Sequence, residues 1–284
     1  MITVLESIQL STEYLDKKGI ESPRMNAELL LADILNCKRL DLYLKFDQPL
    51  KEEETAQYRE YIKRRGKFEP LQYVTGWTEF YGMKFHVNKN VLIPRPETEI
   101  LIETILERID KSKQYKILDI GTGSGNIPIV LGKQLPDVEI ISIDISEEAL
   151  NVAASNAATN NLNNVAFIKK DVFSQTDLNE LGLFDIIISN PPYVSHDEFL
   201  TLQLEIKGYE PKVAVTDNGD GFKFYKHICS AAKNLLNAKG KIFFEVGKDQ
   251  SEQVAEIMNG NNFGNISIKK DLLKIDRVVY GELE

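Results

Sequence analysis

The run Ser189-Asn190-Pro191-Pro192-Tyr193 holds the residue types that chemistry on an amino or amide nitrogen needs. The lone pair of such a nitrogen is delocalised, so the group is a poor nucleophile. It improves when both of its N–H groups are held and the lone pair rehybridises toward an electrophilic methyl group. Two fixed acceptors can do this: the side-chain oxygen of Asn190 and the main-chain carbonyl of Pro191. Pro191 and Pro192 stiffen the turn and help positioning. Tyr193 offers an aromatic wall for a flat acceptor group and for developing positive charge. No strong general base is needed, because the product nitrogen loses its proton readily after attack. A tight turn without chemistry is the plain alternative. The position of the run, directly after the apolar stretch Phe184–Ser189, argues against it.

A second constellation is Asp119-Ile120-Gly121-Thr122-Gly123-Ser124-Gly125, at the end of another apolar stretch. Glycines at a strand-to-helix turn permit tight backbone geometry and let a ligand approach the main chain. Asp144 ends the next apolar stretch, where a carboxylate can accept both hydroxyls of a ribose. Asp171 follows a third stretch, placed to accept an adenine amino group with Val172 against the ring. A dinucleotide would use similar parts, and a ligand-free turn is also compatible with the glycines. The spacing is Gly-x-Gly-x-Gly, with Asn126 where the dinucleotide fingerprint puts its third glycine. That favours S-adenosylmethionine, and the Asn-Pro-Pro-Tyr run decides in its favour.

The elements that must position these residues follow from hydrophobic periodicity. Strands are expected at Lys116–Ile120, Glu139–Asp144, Val165–Lys169, Phe184–Ser189, Gly240–Val246, Asn265–Lys269 and Arg277–Tyr280. Helices are expected over 97–109, 126–135, 147–160, 221–237 and 249–260. This alternation predicts an α/β fold with a mostly parallel, doubly wound sheet, whose ligands sit at the carboxyl ends of the strands. Residues 3 to about 70 read as helical, with Thr3 and Ser22 as caps and Pro23 in a first turn. Acid at Glu52-Glu53-Glu54 and base at Lys63-Arg64-Arg65 match a helix macrodipole, so the basic run has a structural cause. Residues 71–95 have strand and turn composition, with Tyr73, Trp77, Phe80, Tyr81 and Phe85 around Gly76 and Gly82; a β-hairpin linker is expected. The expected domains are therefore 1–70, 71–95 and 96–284.

The chain has 284 residues, 43% hydrophobic and 27% charged, enough for a large α/β domain and a smaller partner. The N-terminus lacks a basic region followed by a long apolar run, so a cytoplasmic protein without membrane insertion is expected. Cys37 and Cys229 lie far apart with no Cys/His cluster, which points to two reduced thiols and no metal. A net charge of −9 argues moderately against direct nucleic-acid binding, which draws on Lys and Arg. Nothing demands a dimer, and a monomer is the expectation.

Taken together, the sequence resembles the peptide chain release factor N5-glutamine methyltransferases, the HemK or PrmC family. The resemblance covers nearly the whole chain. It runs through Pro70-Leu71-Gln72-Tyr73-Val74-Thr75-Gly76, Ile93-Pro94-Arg95-Pro96-Glu97-Thr98-Glu99, the glycine loop and Asn190-Pro191-Pro192-Tyr193. It continues in Glu210-Pro211-Lys212-Val213-Ala214, Gly219-Asp220-Gly221, Glu245-Val246-Gly247 and Asp271 to Val279. Asn-Pro-Pro-Tyr alone is shared with adenine methyltransferases; the other runs are more selective. The resemblance implies a class I methyltransferase fold, S-adenosylmethionine as methyl donor, and the glutamine of a Gly-Gly-Gln motif in a release factor as acceptor. It implies that the N-terminal helical domain helps to bind the factor. Cofactor contacts carried over are Gly121, Thr122, Gly123, Ser124, Gly125, Asp144, Asp171, Val172 and Asn190. The acceptor side comprises Asn190, Pro191, Pro192 and Tyr193, with Asn190, Pro191 and Tyr193 catalytic. At Val172 some relatives carry a large aromatic residue. The competing substrates are a ribosomal-protein glutamine and, further off, adenine in a nucleic acid, which would call for a basic face. A non-catalytic module keeping the nucleotide-binding fold is disfavoured by the intact Asn190 and Tyr193.

Overall fold

The computed structural model describes residues 2–284. In chain order the helices are α1 (Val4–Lys17), α2 (Pro23–Ile34), α3 (Glu52–Arg65), α4 (Leu71–Thr75), α5 (Thr98–Arg108), α6 (Asn126–Gln134), α7 (Glu147–Thr159), α8 (Gln175–Asn179), α9 (His196–Thr201), α10 (Leu204–Tyr209), α11 (Lys212–Val215), α12 (Lys223–Ala232) and α13 (Ser251–Asn259). The strands are β1 (Trp77–Phe80), β2 (Met83–His86), β3 (Lys116–Ile120), β4 (Glu139–Asp144), β5 (Val165–Lys169), β6 (Phe184–Ser189), β7 (Leu236–Glu245), β8 (Phe263–Lys270) and β9 (Asp276–Leu283). Two compact units emerge: Met1–Trp77 with Gln203–Tyr209, and Thr78–Leu202 with Glu210–Glu284.

The first unit is helical, as its sequence predicts. Thr3 and Glu6 form a reciprocal capping box on α1, which satisfies two otherwise orphaned N–H groups. Pro23 opens α2, but Ser22 sits at φ 49° and makes no side-chain cap, contrary to expectation. Val4, Ile8, Leu15, Leu30, Leu31 and Leu42 form the centre of its core. The basic end of α3 does more than complement a dipole. Arg64 pairs with Glu69 at 2.5 Å and donates to the carbonyls of Tyr73 and Val74, holding α4 in place. Arg65 is only 4% exposed; it bonds Asn26 Oδ1 at 2.7 Å, the Glu69 carbonyl and Glu205 Oε1 at 2.5 Å. Glu205 lies on α10, so Arg65 ties this distant stretch of chain into the helical unit. The expected hairpin linker begins later than its composition suggested, because Leu71–Thr75 is helical and Gly76 (φ 83°) terminates it.

The second unit is built on a seven-stranded sheet of order β5-β4-β3-β6-β7-β9-β8. Strands β3 to β7 are mutually parallel, and β9 runs antiparallel between β7 and β8. The central strands β3 and β6 read as near-continuous Ile and Leu runs because both of their faces are covered. One face packs on α12 and α13 through Phe184, Ile187, Tyr225, Phe244 and Val254. The other packs on α5 and α6 through Leu101, Ile105, Ile117, Ile129 and Phe243, with Phe80 and Phe85 of the β1–β2 ribbon alongside. Chain order reverses between β3 and β6, which makes their carboxyl ends the switch point where such folds bind ligands. Cys229 is buried in the core and Cys37 half-buried, both unpaired; burial pushes the Cys229 thiol up to about 12. Among the described residues no metal-holding cluster occurs, and no helix is long and apolar enough to cross a membrane.

The buried Arg65 and its exposed neighbour Lys63 make opposite predictions. Arg65→Met should destabilise the helical unit by about 3 kcal/mol, since it strands Glu205 and Asn26. Lys63→Met should change stability by no more than about 0.5 kcal/mol. Urea denaturation followed by circular dichroism measures both; equal midpoints would show that Arg65 carries no such role.

Candidate active site

A cavity of about 380 Å³ opens at the switch point, within the range of small-molecule sites. Parallel register explains its position. Ile120 pairs with Ile143 on one side and with Ser189 on the other, so the glycine loop, Asp144 and Asn190 each begin just beyond one rung of the sheet. The Ser189 hydroxyl donates to the Ile120 carbonyl at 2.8 Å and locks the ends of β3 and β6 together. From there Gly121, Thr122, Gly123, Ser124, Asp144, Asp171, Val172, Asn190, Pro191 and Pro192 all line the cavity.

The three loop glycines have different reasons for being glycine. All have positive φ, 82° at Gly121, 53° at Gly123 and 80° at Gly125. A methyl group on Gly121 or Gly123 would meet no protein atom within 4 Å, so the space beside them is left for something outside the chain. At Gly125 it would lie 2.9 Å from Ile129 Cδ1 and 3.0 Å from Ala153 Cβ. Gly125 lies outside the cavity lining, and its lack of a side chain lets α6 pack against α7.

Asp144 accepts the Gly123 N–H at 3.0 Å and the Ser146 N–H at 2.9 Å, one on each oxygen. Each oxygen keeps a lone pair for a further donor, which suits a vicinal diol. Burial raises its pKa, against the pull of the Ser146 and Gly123 N–H groups. Asp171 Oδ1 accepts the Phe173 N–H at 2.9 Å. Val172 is buried and its carbonyl meets His227 Nε2 at 2.7 Å. Phe173 packs between Phe224, edge-on at 5.0 Å, and His227, tilted at 4.5 Å, and Phe173 and Phe224 line this end of the cavity. Beneath the loop, Asp119 is fully buried. Ser142 Oγ lies 2.5 Å from its Oδ2 and 2.6 Å from Thr122 Oγ1, while Oδ1 has no partner. Burial pushes the Asp119 carboxyl up to about 6, with the charge of Asp144 acting in the same direction.

On the opposite wall Asn190 Nδ2 donates to Thr98 Oγ1 at 3.3 Å. With the amide NH2 so engaged, Oδ1 is the acceptor that Asn190 has to offer. The Pro191 carbonyl receives no main-chain hydrogen bond. The turn is clamped from behind: Gln250 Nε2 donates to the Tyr193 carbonyl at 2.9 Å, and the Val194 N–H donates to the Val215 carbonyl at 3.1 Å. Gly221 (φ 84°) passes so close to the Tyr193 carbonyl that a Cβ there would sit 2.5 Å from it. Tyr193 itself does not line the cavity. Its ring packs against the core and its hydroxyl points to Glu245 Oε1 at 3.4 Å, so the aromatic wall expected of it is not where the structure puts the ring.

Ile145 and Phe224 had no assigned role in the sequence, and only the fold brings them here; Thr98, in the run that resembles the family's domain entry, lines the cavity as well. Arg95 also lines the cavity and pairs with Glu210 at 2.5 Å, which fixes the segment after β2 against the segment before α11. Glu99, by contrast, accepts the Tyr81 N–H at 2.7 Å and braces the β1–β2 turn. The turn at Gly219–Gly221 is held by Asp217, which accepts the N–H groups of Gly219, Gly221 and Lys223. Both are structural devices.

The glycine geometry gives a discriminating test. Gly123→Ala should cost about 1 kcal/mol, the strain of a left-handed alanine. Gly125→Ala adds overpacking against Ile129 and Ala153, for a total of about 2–4 kcal/mol. Calorimetric unfolding of the two variants measures the difference, and equal losses would refute the distinction.

The comparisons with known proteins agree with this architecture. Residues 6–76 match the family profile described as the PrmC N-terminal domain, and residues 111–279 match that of a methyltransferase domain. The chain is 40% identical over 276 residues to the release factor glutamine methyltransferase of Fusobacterium nucleatum, covering 97% of this chain and 77% of that protein. It is 37% identical over 282 residues to the protein of the same name from Chlorobaculum tepidum, covering 97% and 95%. Among solved structures, a methyltransferase from Pyrococcus furiosus superposes with a TM-score of 0.51 at 17% identity, over 72% of this chain and 90% of that one. A Thermus thermophilus 16S rRNA N2 G1207 methyltransferase in complex with AdoMet and guanosine reaches 0.50 at 15% identity, over 73% and 50%. These two likenesses establish the class I methyltransferase fold, and the near full-length sequence relatives go further: the chain belongs to the release factor glutamine methyltransferase family.

Proposed function

We propose that the protein methylates the side-chain amide nitrogen of the glutamine in the Gly-Gly-Gln motif of peptide chain release factors, with S-adenosylmethionine as donor. The observation that carries this reading is the pairing of two free acceptors, Asn190 Oδ1 and the Pro191 carbonyl, with a glycine loop open to a ligand across the same cavity. Family membership supplies the acceptor class. The residues present fit the donor: open space beside Gly121 and Gly123 suits close approach of its main part, Asp144 its ribose hydroxyls, and Asp171 with Val172 its adenine. When bound, S-adenosylmethionine supplies a methyl group activated by a positively charged sulfur.

The chain's own residues prepare the acceptor. Asn190 Oδ1 and the Pro191 carbonyl each take one N–H of the glutamine amide, which turns its nitrogen lone pair toward the donor side of the cavity. Amide resonance is weakened only if both acceptors are fixed, and the clamps on the turn from Gln250, Gly221 and Val215 fix them. Apolar surface from Val91, Leu92 and Pro94 lowers the competition of water for the same N–H groups. The glutamine nitrogen sheds its proton after attack, so no residue need act as a strong base. The helical unit serves to hold the release factor, and the methyltransferase works in the cytoplasm as a monomer.

Incubation with radiolabelled S-adenosylmethionine, a recombinant release factor and its Gly-Gly-Gln glutamine-to-alanine variant tests the reaction. Label is expected in the factor and absent from the variant. Label in ribosomal protein alone would retain the amide chemistry and move the substrate, and label in DNA alone would overturn the protein acceptor. Two substitutions then separate the two sides of the cavity. Asn190→Ala should lower kcat by about 100-fold while calorimetric affinity for the donor falls much less. Asp144→Ala should weaken donor binding by about tenfold or more, the loss of one or two charge-assisted hydrogen bonds. Unimpaired turnover in a folded Asn190→Ala protein would remove Asn190 from its role.

A further inference from the structure

The rung that carries Ile120 and Ser189 continues across the sheet through Phe244 on β7 and Val279 on β9. β9 is antiparallel to β7, so the β8–β9 hairpin turns at the carboxyl edge of the parallel strands, where the cavity also opens. With strands about 4.8 Å apart, β9 lies roughly 10 Å to the side of the strand that delivers Asn190. Ile275 precedes Val279 by four residues, so at about 3.3 Å per residue the turn stands roughly 13 Å above that rung.

The turn itself, Asp271-Leu272-Leu273-Lys274-Ile275, is tightly held. Asp271 Oδ1 accepts the N–H groups of Leu273 at 2.8 Å and Ile275 at 2.9 Å, and Oδ2 accepts Arg277 Nε at 2.9 Å. The Asp271 N–H donates to the Ile275 carbonyl at 2.8 Å, and Lys274 takes the left-handed φ of 64°. These features account for the shape of the turn without either leucine side chain. Yet Leu272 is 98% exposed and Leu273 80%. Turn residues are ordinarily polar. Scattered surface leucines are common, but folding does not explain two adjacent ones on a braced projection.

We propose that Leu272 and Leu273 form a docking point for the protein that carries the acceptor glutamine, seated in an apolar recess beside its glutamine loop. The inference rests on the acceptor reading given above. A specific interface covers about 800 Å² on each partner, a disc of roughly 16 Å radius. Centred on Asn190, that disc includes the hairpin. A folded substrate cannot place its amide in the cavity without meeting a projection so close to it. Because the turn is already ordered, its leucines dock at low entropic cost. The contact lies away from the reacting amide, so it stabilises ground state and transition state alike. It therefore acts on KM rather than kcat, and a short peptide cannot use it.

The test compares wild type with Leu272→Ser/Leu273→Ser in the full chain, using intact release factor and a short Gly-Gly-Gln peptide as acceptors. The double variant should raise KM for the intact factor about 30-fold, the loss of about 2 kcal/mol of apolar burial, with kcat unchanged. Its turnover of the peptide, its calorimetric affinity for the donor and its unfolding midpoint should match wild type. Leu272→Met/Leu273→Met should restore most of the affinity. Leu183→Ser, at an exposed leucine just before β6 on the opposite edge of the sheet, should leave KM unchanged. An unchanged KM in the serine double variant beside an active wild type would overturn the docking role alone, as would an equal rise in Leu183→Ser. Dimerisation of the wild type that the serine variant loses, with no change in KM, would assign the leucines to self-association and overturn it likewise. No transfer by the wild type to either acceptor would overturn the acceptor reading and the inference with it.

Discussion

The rung at which Ile143, Ile120 and Ser189 lie side by side is the constraint on which the site depends. Parallel pairing brings three strands to the same level, and each strand then leaves the sheet with a different cargo. β3 delivers the glycine loop, β4 delivers Asp144 and β6 delivers Asn190. A shift of register by one residue would exchange the faces of a strand and bury the wrong side chains. The hydrogen bond from Ser189 to the Ile120 carbonyl, made by a fully buried hydroxyl, resists such a slip at the point where it matters most.

Below that rung the unit is apolar, and the polar groups admitted to it are conspicuous. Asp119 and Glu245 each have one buried oxygen without a partner, and burial pushes their carboxyls up to about 6 and about 7. Neither lines the cavity, but each stands directly behind a loop that does. Asp119 reaches the glycine loop through Ser142 and Thr122, and Glu245 meets the acceptor turn at the Tyr193 hydroxyl. The two walls thus share one construction: a buried carboxylate, a hydroxyl and a backbone turn.

The strands and most long helices were legible in the sequence because strands buried on both faces are written as plain apolar runs, such as Ile186-Ile187-Ile188. The cavity-lining parts of the glycine loop, Asp144, Val172 and Asn190 were legible because strand ends at a switch point collect ligands. What stayed hidden depends on packing between residues far apart in sequence. Gly125 looks like its two neighbours until Ala153 is brought against it. Tyr193 looks like an acceptor wall until Glu245 and the core claim it. Between residues 194 and 216 no periodicity announces α9, α10 and α11, which are six residues or shorter and whose stretch Gln203–Tyr209 belongs to the helical unit through Arg65 and Lys67. Thr98 was legible through the resemblance of its run Ile93–Glu99, whereas its residue type alone, a threonine opening a helix, is commonplace.

Amide chemistry by itself does not distinguish a glutamine from an adenine amino group, because both present a conjugated NH2 to the same pair of acceptors. Selectivity on the proposed reading therefore lies at the rim. There Arg95 is neutralised by a buried Glu210. A guanidinium paired in this way is spent on holding two chain segments together and is poorly placed to recruit phosphate, whose recognition uses both edges of an Arg fork. The rest of the lining mixes apolar Val91, Leu92, Pro94 and Val213 with Lys89, Asn90 and Lys170. On the proposed reading, glycines flanking a glutamine are the narrowest peptide that can carry the amide into such a mouth. The acidic balance of the chain acts in the same direction at longer range, since a net charge of −9 opposes the approach of a polyanion.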